Sequence, residues 1–154
     1  MKIEILRDVL VELGEVERLI GRCHSLDLWR AIDASEAKDL FRLVENDIVR
    51  APGKISQADI TIRDYRGEKW VYCRDFPRGV STFDRAGVFR GDKWKYYKIP
   101  AGTMLPEGIV IVRDFYNLRY GATHHTIAPE RDMALRQFRA LLAEFATHII
   151  GNVA

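Results

Sequence analysis

Two stretches concentrate side chains able to do chemistry. The first is Gly79-Val80-Ser81-Thr82-Phe83-Asp84-Arg85-Ala86-Gly87, with Pro77 just before it. Two hydroxyls, one ring, one acid and one base lie between two glycines. A core strand would carry apolar side chains at most of these positions. Small polar groups beside a ring, next to a glycine that lets the backbone approach closely, suit a wall that holds a flat polar ligand. A strand end followed by a turn is the plainer reading of the same residues. The second stretch is Tyr116-Asn117-Leu118-Arg119-Tyr120-Gly121-Ala122-Thr123-His124-His125-Thr126-Ile127, again crowded with ring, amide, hydroxyl and imidazole groups.

His124 and His125 are consecutive in an expected strand, so they point to opposite faces. His124 shares its side with Ala122, Thr126 and Ala128, a small and polar surface suited to a ligand. A structural hydrogen-bonding role is the plainer alternative. Arg30 sits in the row Leu26, Leu28, Arg30, Ile32 of another expected strand and interrupts an apolar face. A guanidinium there needs an anion, because an unpaired buried charge is costly. That anion is either an internal carboxylate or the phosphates of a ligand, which the planar fork suits. Arg85 and Arg119 are the other candidates for phosphate. Phe83, Tyr116 and Tyr120 offer rings for stacking. No serine-histidine-aspartate array is legible, since no glycine-flanked nucleophile elbow is present. A lysine-bearing phosphate loop and a dinucleotide glycine fingerprint are also missing. Cys23-His24 without neighbouring ligands makes a poor zinc site, so no metal is expected.

The elements that must position these groups are visible in the spacing. Apolar gaps of three and four from Ile5 to Ile20 predict a helix over 3–20, bent or split at Gly14. Ser25–Ile32 predicts a short strand. Ser35 is expected to cap a helix holding Leu40, Phe41 and Val44. Ile60–Asp64 and Lys69–Cys73 alternate like strands about an Arg66-Gly67 turn. Trp94–Ile99, Ile109–Val112 and Ala122–Ala128 follow as strands, the second apolar on both faces. Pro129 is expected to open a last helix with a core stripe through Ala134, Leu135, Phe138, Leu141, Leu142, Phe145 and Ile149. The order predicts an α+β fold with a largely antiparallel sheet system.

The totals bound the class. The 154 residues are 47% hydrophobic and 30% charged, which is one domain with one core. A net charge of +2 is too small to argue for nucleic acid. The charged N-terminus does not resemble a secretory signal, and no apolar run is long enough for a bilayer. A soluble cytoplasmic chain is expected, with Cys23 and Cys73 as reduced, partly buried thiols.

A family resemblance adds to this. Gly79–Gly87, the turn Ile99-Pro100-Ala101-Gly102-Thr103, and Tyr116-Asn117-Leu118-Arg119 leading into Ala122–Pro129 resemble the bacterial type VI secretion toxins with an ADP-ribosyltransferase-like fold. Leu28-Trp29-Arg30-Ala31-Ile32 is similar to that family's first strand. The likeness spans roughly 26–34 and 70–145 and leaves out residues 1–24.

The resemblance implies a single toxin domain, with 1–24 as an N-terminal helical segment and 25–150 as the core. It implies mostly antiparallel strands in two packed sheets flanked by helices, and a cleft that takes NAD as substrate. Arg30 would hold phosphate or ribose. Ser81 and Thr82 would brace the nicotinamide half, His124 would face the cleft, and Phe83 and Asp84 would shape its floor, with Tyr116 stacking. Arg30, Ser81 and His124 are the catalytic candidates. Splitting the glycosidic bond develops positive charge on the ribose, which calls for a carboxylate. The late-strand glutamate usual in ADP-ribosyltransferases has no counterpart, and Asp84 is the nearby substitute. The implied setting is delivery by a secretion system into a target-cell cytoplasm, an immunity protein as partner, and an unidentified target macromolecule as acceptor. Neither membrane nor nucleic acid is an expected partner. A non-catalytic nucleotide- or protein-binding module of the same fold is the alternative. An RNA-directed relative of the 2′-phosphotransferases is a weaker one.

Overall fold

The computed structural model describes residues 1–36, 39–74 and 78–152. Pro77 and part of the helix expected after Ser35 lie outside these residues. Among the described residues the strands form three antiparallel sheets rather than two, with a helix at each end of the chain. The class is α+β.

The N-terminal helix α1 (Leu6–Leu13) is shorter than the spacing predicts. Gly14 ends it in the left-handed region, at φ 73°. The N–H of Gly14 returns to Val11 and that of Glu15 to Leu10, which satisfies the last carbonyls in a Schellman arrangement. A 3-10 turn (Val16–Arg18) and a short strand β1 (Leu19–Gly21) follow. The helical gaps at Leu19 and Ile20 therefore mislead, because an edge strand after a tight turn partly buries those side chains as well.

β2 (Leu28–Asp33) overlaps the expected strand, starting three residues later and ending one residue beyond it. Ser35 lies in a 3-10 turn (Ala34–Glu36), and among the described residues of the expected helix, 39–47 carry none. Leu40, Phe41 and Leu43 are nevertheless buried. Distant or neighbouring side chains hold that backbone instead. Asp39 accepts from Phe41 N–H, Asp59 from Val44 N–H, and Arg30 donates to the carbonyls of Leu40 and Arg42.

A small hairpin, β3 (Ile48–Ala51) with β4 (Lys54–Ser56), precedes the expected hairpin β5 (Thr61–Tyr65) and β6 (Glu68–Tyr72). Arg66 and Gly67 both have positive φ, the requirement of a two-residue primed turn. The remaining strands are β7 (Val80–Phe83), β8 (Trp94–Ile99), β9 (Ile109–Asn117), β10 (Ala122–Pro129) and β11 (Met133–Ala134). Pro129 ends β10 rather than opening the final helix α2 (Leu135–Asn152).

The main sheet runs β1-β9-β10-β7-β2-β8, and β11-β6-β5 forms the second. Phe138, Leu142, Phe145 and Ile149 of α2 pack into one core with Val80, Ile109, Ile111 and Ile127 from one face of the main sheet. On the opposite face α1 covers Val110, Val112 and Ala128 through Leu6, Val9 and Leu10. Because α1 stops at Leu13, the part of that face beyond it stays open, and the candidate site lies there.

Candidate active site

Register sets which side chains share the open face. Thr126 of β10 is opposite Ser81 of β7, and His124 lies two residues along β10 on the same side. The two meet diagonally, with His124 Nε2 2.8 Å from Ser81 Oγ. Between β9 and β10 the register slips. Thr123 pairs with Tyr116 but His125 pairs with Arg113, so Asp114 and Phe115 together oppose His124. This extra residue is a β-bulge, a device that re-aims side chains. Here it brings two different groups onto one imidazole. Asp114 Oδ2 lies 2.6 Å from His124 Nδ1, and the Phe115 ring stacks at 5.7 Å. Phe83 closes the other side edge-on, at 5.3 Å.

The 2.6 Å contact is close but off the line of a well-formed hydrogen bond, and the buried Nδ1 has no other partner among the described residues. Asp114 is more fully engaged. Its Oδ1 accepts from Arg18 Nη2 at 2.7 Å and its Oδ2 accepts from the Thr126 hydroxyl. Arg18 also donates from Nε to the Arg113 carbonyl and from Nη1 to Glu15, each at 3.0 Å. A serine, a histidine and an aspartate thus stand in line where the sequence shows no such array. Three neighbouring strands supply them, so no local motif exists to find.

These groups line a cleft of about 600 Å³ together with Glu15, Asp59, Arg78 and Phe115. A second hollow of about 440 Å³ adjoins it and shares Ser81 and Asp59. Arg30, Arg42, Phe83, Phe89 and Trp94 are among its walls. Phe89 and Trp94 present tilted rings 4.7 Å apart.

The expected site residues separate into three groups. Ser81 and His124 meet in the first cleft. Arg30 lies in the second hollow, joined to the first through Ser81. Its Nη1 donates to the Ser81 carbonyl and its Nε to Leu40, each at 3.0 Å. Burial lowers its pKa, opposed by the carboxylates of Asp59 and Asp39. Its hydrogen-bond partners are therefore carbonyls, with the internal carboxylates acting through space. Phe83 joins that second hollow with its ring against His124.

Thr82, Asp84 and Tyr116 line neither space. Thr82 is fully buried on the far face and donates to the His125 carbonyl. Asp84 accepts from Thr123 N–H at 2.8 Å and ties the end of β7 to β10. Tyr116 is exposed on the hairpin beyond the bulge. Arg85 is bound to the carbonyls of Tyr120 and Gly121, and Arg119 lies over the Tyr120 ring.

Glu15, Arg18, Asp59 and Asp114 line the cleft without having been singled out in the sequence. For Asp114 a signal existed. The apolar run Ile109–Val112 continues as Arg113-Asp114-Phe115, and alternation from Val112 puts Asp114 on the face of Thr126. Burial pushes the Asp59 carboxyl up, opposed by the Val44 N–H and by Arg30, Arg78 and Arg42. No cluster of three or more His, Cys, Asp or Glu side chains among the described residues is placed to hold a metal ion. No helix among them is long and apolar enough to cross a membrane.

An α+β domain of largely antiparallel strands with this cleft is consistent with an ADP-ribosyltransferase-like domain. Residues 16–152 match the family described as Tse2 ADP-ribosyltransferase toxin, and the chain belongs to that family. The match takes in the turn of Arg18 and strand β1, which lie within the N-terminal segment 1–24. The toxin Tse2 of Pseudomonas aeruginosa is 40% identical over 87 residues, which make up 54% of this chain and 52% of that protein. The chain thus matches about half the length of this curated relative.

Proposed function

We propose that the chain is an ADP-ribosyltransferase-like toxin that splits NAD at the nicotinamide bond and passes ADP-ribose to a macromolecule of a rival bacterium. The observation that carries this is the pairing of Ser81 with His124 at 2.8 Å in a cleft that shares Ser81 and Asp59 with a second hollow lined by Arg30. Two adjoining spaces meeting at Ser81 suit the two halves of a dinucleotide. The nicotinamide ribose would sit at Ser81 and His124, and the adenine against Phe89 and Trp94. Arg30, although bonded to carbonyls, brings positive charge to the hollow that would hold the diphosphate.

The positive charge that develops on the ribose needs a nearby carboxylate. Asp59 lines both hollows and takes that role better than Asp84, which lines neither. Delivery would be by a type VI secretion system, action would be in the target-cell cytoplasm, and a cognate immunity protein would restrain the toxin in the producer. Family membership supports this setting. A member that binds nucleotide or protein without turnover is the second reading. The favouring observation is that Arg30 and Asp114 already have partners inside the fold.

The test is nicotinamide release from NAD by the purified chain, together with growth arrest on expression in a bacterium lacking the immunity protein. Wild type should do both, and Ser81→Ala, His124→Ala and Asp59→Asn should each weaken both. Growth arrest without nicotinamide release would favour binding without turnover. Full toxicity of both Ser81→Ala and His124→Ala would remove this cleft from consideration.

A further inference from the structure

The geometry points to Asp114 and Arg18 as the positioning pair of the site: Asp114 sets the tautomer and orientation of His124, and Arg18 sets Asp114. A carboxylate has only lone pairs to offer. A bare Nδ1 at 2.6 Å from Oδ2 would put lone pair against lone pair, so the neutral imidazole carries its proton on Nδ1. Nε2 is then the acceptor, and the hydroxyl of Ser81 donates to it across 2.8 Å. In this tautomer His124 can take a proton from Ser81, or from any acceptor hydroxyl or water that occupies the same place. In the other tautomer Nε2 would be a donor and could take none. The off-line geometry at Nδ1 needs only a small ring rotation to become a hydrogen bond, and catalytic contacts often tighten in this way on loading.

Arg18 turns this contact into a fixed one. One guanidinium holds the Asp114 carboxylate, the Arg113 carbonyl and Glu15 together, across the bulge that puts Asp114 beside His124. A bulged residue has lost part of its ladder support, so a side-chain clamp is what keeps it aimed. The clamp arrives through the Schellman end of α1 and the 3-10 turn after it, which makes the N-terminal segment part of the site. Arg18 has every donor nitrogen engaged, so it acts through Asp114 rather than on substrate.

The experiment is imidazole ¹⁵N NMR of the full labelled chain, made by cell-free synthesis, with nicotinamide release measured beside it. Only the kinetic arm rests on the NAD-cleaving reading. Wild-type His124 is expected to carry its proton on Nδ1 at neutral pH. Asp114→Ala should move the proton to Nε2, and Arg18→Gln should give a mixture of the two tautomers. Nicotinamide release should fall on the order of 10²-fold in kcat for Asp114→Ala, the size of a general acid–base contribution, with KM little changed. Asp114→Glu should restore part of the loss, which a merely structural role would not.

If wild-type His124 carries its proton on Nε2, or if both variants keep the wild-type tautomer, the proposal is overturned. The wild-type spectrum and Arg18→Gln decide the matter should Asp114→Ala fail to fold. Absence of nicotinamide release in wild type would sink the NAD-cleaving reading while the tautomer measurement still judged this one.

Discussion

A Cβ placed on Gly79 would lie 1.9 Å from the carbonyl oxygen of Ile127, so β7 enters the sheet against backbone that cannot retreat. The constraint is steric, since only hydrogen fits between this residue and β10. Two residues further on, the same pair of strands holds Ser81 opposite Thr126 and diagonal to His124. Gly79→Ala is therefore expected to push β7 away from β10 and to lengthen the Ser81–His124 contact. The overpacking should cost about 1–3 kcal/mol. At this chain length that lowers Tm by roughly 2–4 °C per kcal/mol. Thermal denaturation and a growth assay check both effects. A Gly79→Ala chain with wild-type Tm and wild-type toxicity would show that the strands separate without consequence.

Asp132 is buried and ties three distant pieces together. Its carboxylate accepts from Glu4 N–H and Cys73 N–H, each at 3.0 Å, while its own N–H donates to the Glu4 carbonyl. Leu6 N–H donates to the Glu130 carbonyl one step away. Asp132→Ala leaves the buried Cys73 N–H without its acceptor, at about 1–3 kcal/mol, and removes the acceptor of the partly buried Glu4 N–H as well. We expect Asp132→Ala to lose several times more stability in urea denaturation than Glu130→Ala, whose side chain is partly exposed. Equal midpoints for the two variants would contradict the clamp.

The contrast between these residues shows what the sequence could carry. The stripe from Leu135 to Ile149, the Arg66-Gly67 turn and the apolar run Ile109–Val112 are legible because each is dictated by neighbours in the chain. The segment after Ser35 is not. Leu40 and Phe41 are buried as expected, but Leu43 rather than Val44 is the third buried residue, and the backbone is satisfied by Arg30 and Asp59 from elsewhere rather than by a helix. Ser81 and His124 are legible as unusual residues in strands. For Asp114 the alternation from Val112 gives the face, but its meeting with His124 depends on the bulge in the pairing of β9 with β10, which no local pattern shows.

His24 and His125 face each other on the side of β10 away from the cleft, with Nε2 to Nε2 3.1 Å. Leu26 N–H donates to His24 Nδ1, so His24 carries its proton on Nε2 and donates to His125. His125 donates in turn from Nδ1 to the Thr123 carbonyl. The set is complete only when both rings are neutral, and a further proton on His125 would oppose two N–H groups. Burial lowers both pKa values. Arg113 adds to this at His24 and His24 adds to it at His125, while Asp84 opposes both and the Thr123 carbonyl and Asp114 also oppose the effect at His125.

A folded pKa below the unfolded one means that the unfolded chain binds more protons as the pH falls past the ordinary imidazole value of about 6.5. The contribution is thus present above that pH and lost below it. Urea midpoints should drop between about pH 7.5 and about pH 5, and His24→Gln should reduce that drop. An unchanged pH dependence in His24→Gln would show that the pair does not titrate with folding.

The two thiols give a probe of the N-terminal clamp. Burial, with the Asp132 carboxylate beside it, pushes the Cys73 thiol up to about 12. Its Sγ lies 3.3 Å from Asp132 Oδ1 and 3.5 Å from the Glu4 carbonyl. The thiolate is the reactive form, so Cys73 in the folded chain should resist alkylation at neutral pH. Cys23 is partly exposed and should react first. Residues 4–6 cover Cys73, so its labelling requires their release, either locally or in global unfolding. Asp132→Asn weakens that cover and should speed Cys73 labelling at least about tenfold, the factor that 1.4 kcal/mol of lost protection provides, without altering the rate at Cys23. Peptide mass spectrometry of iodoacetamide-treated protein separates the two sites. Equal labelling rates for Cys73 in wild type and Asp132→Asn would mean that the first residues of the chain are held by something other than this carboxylate.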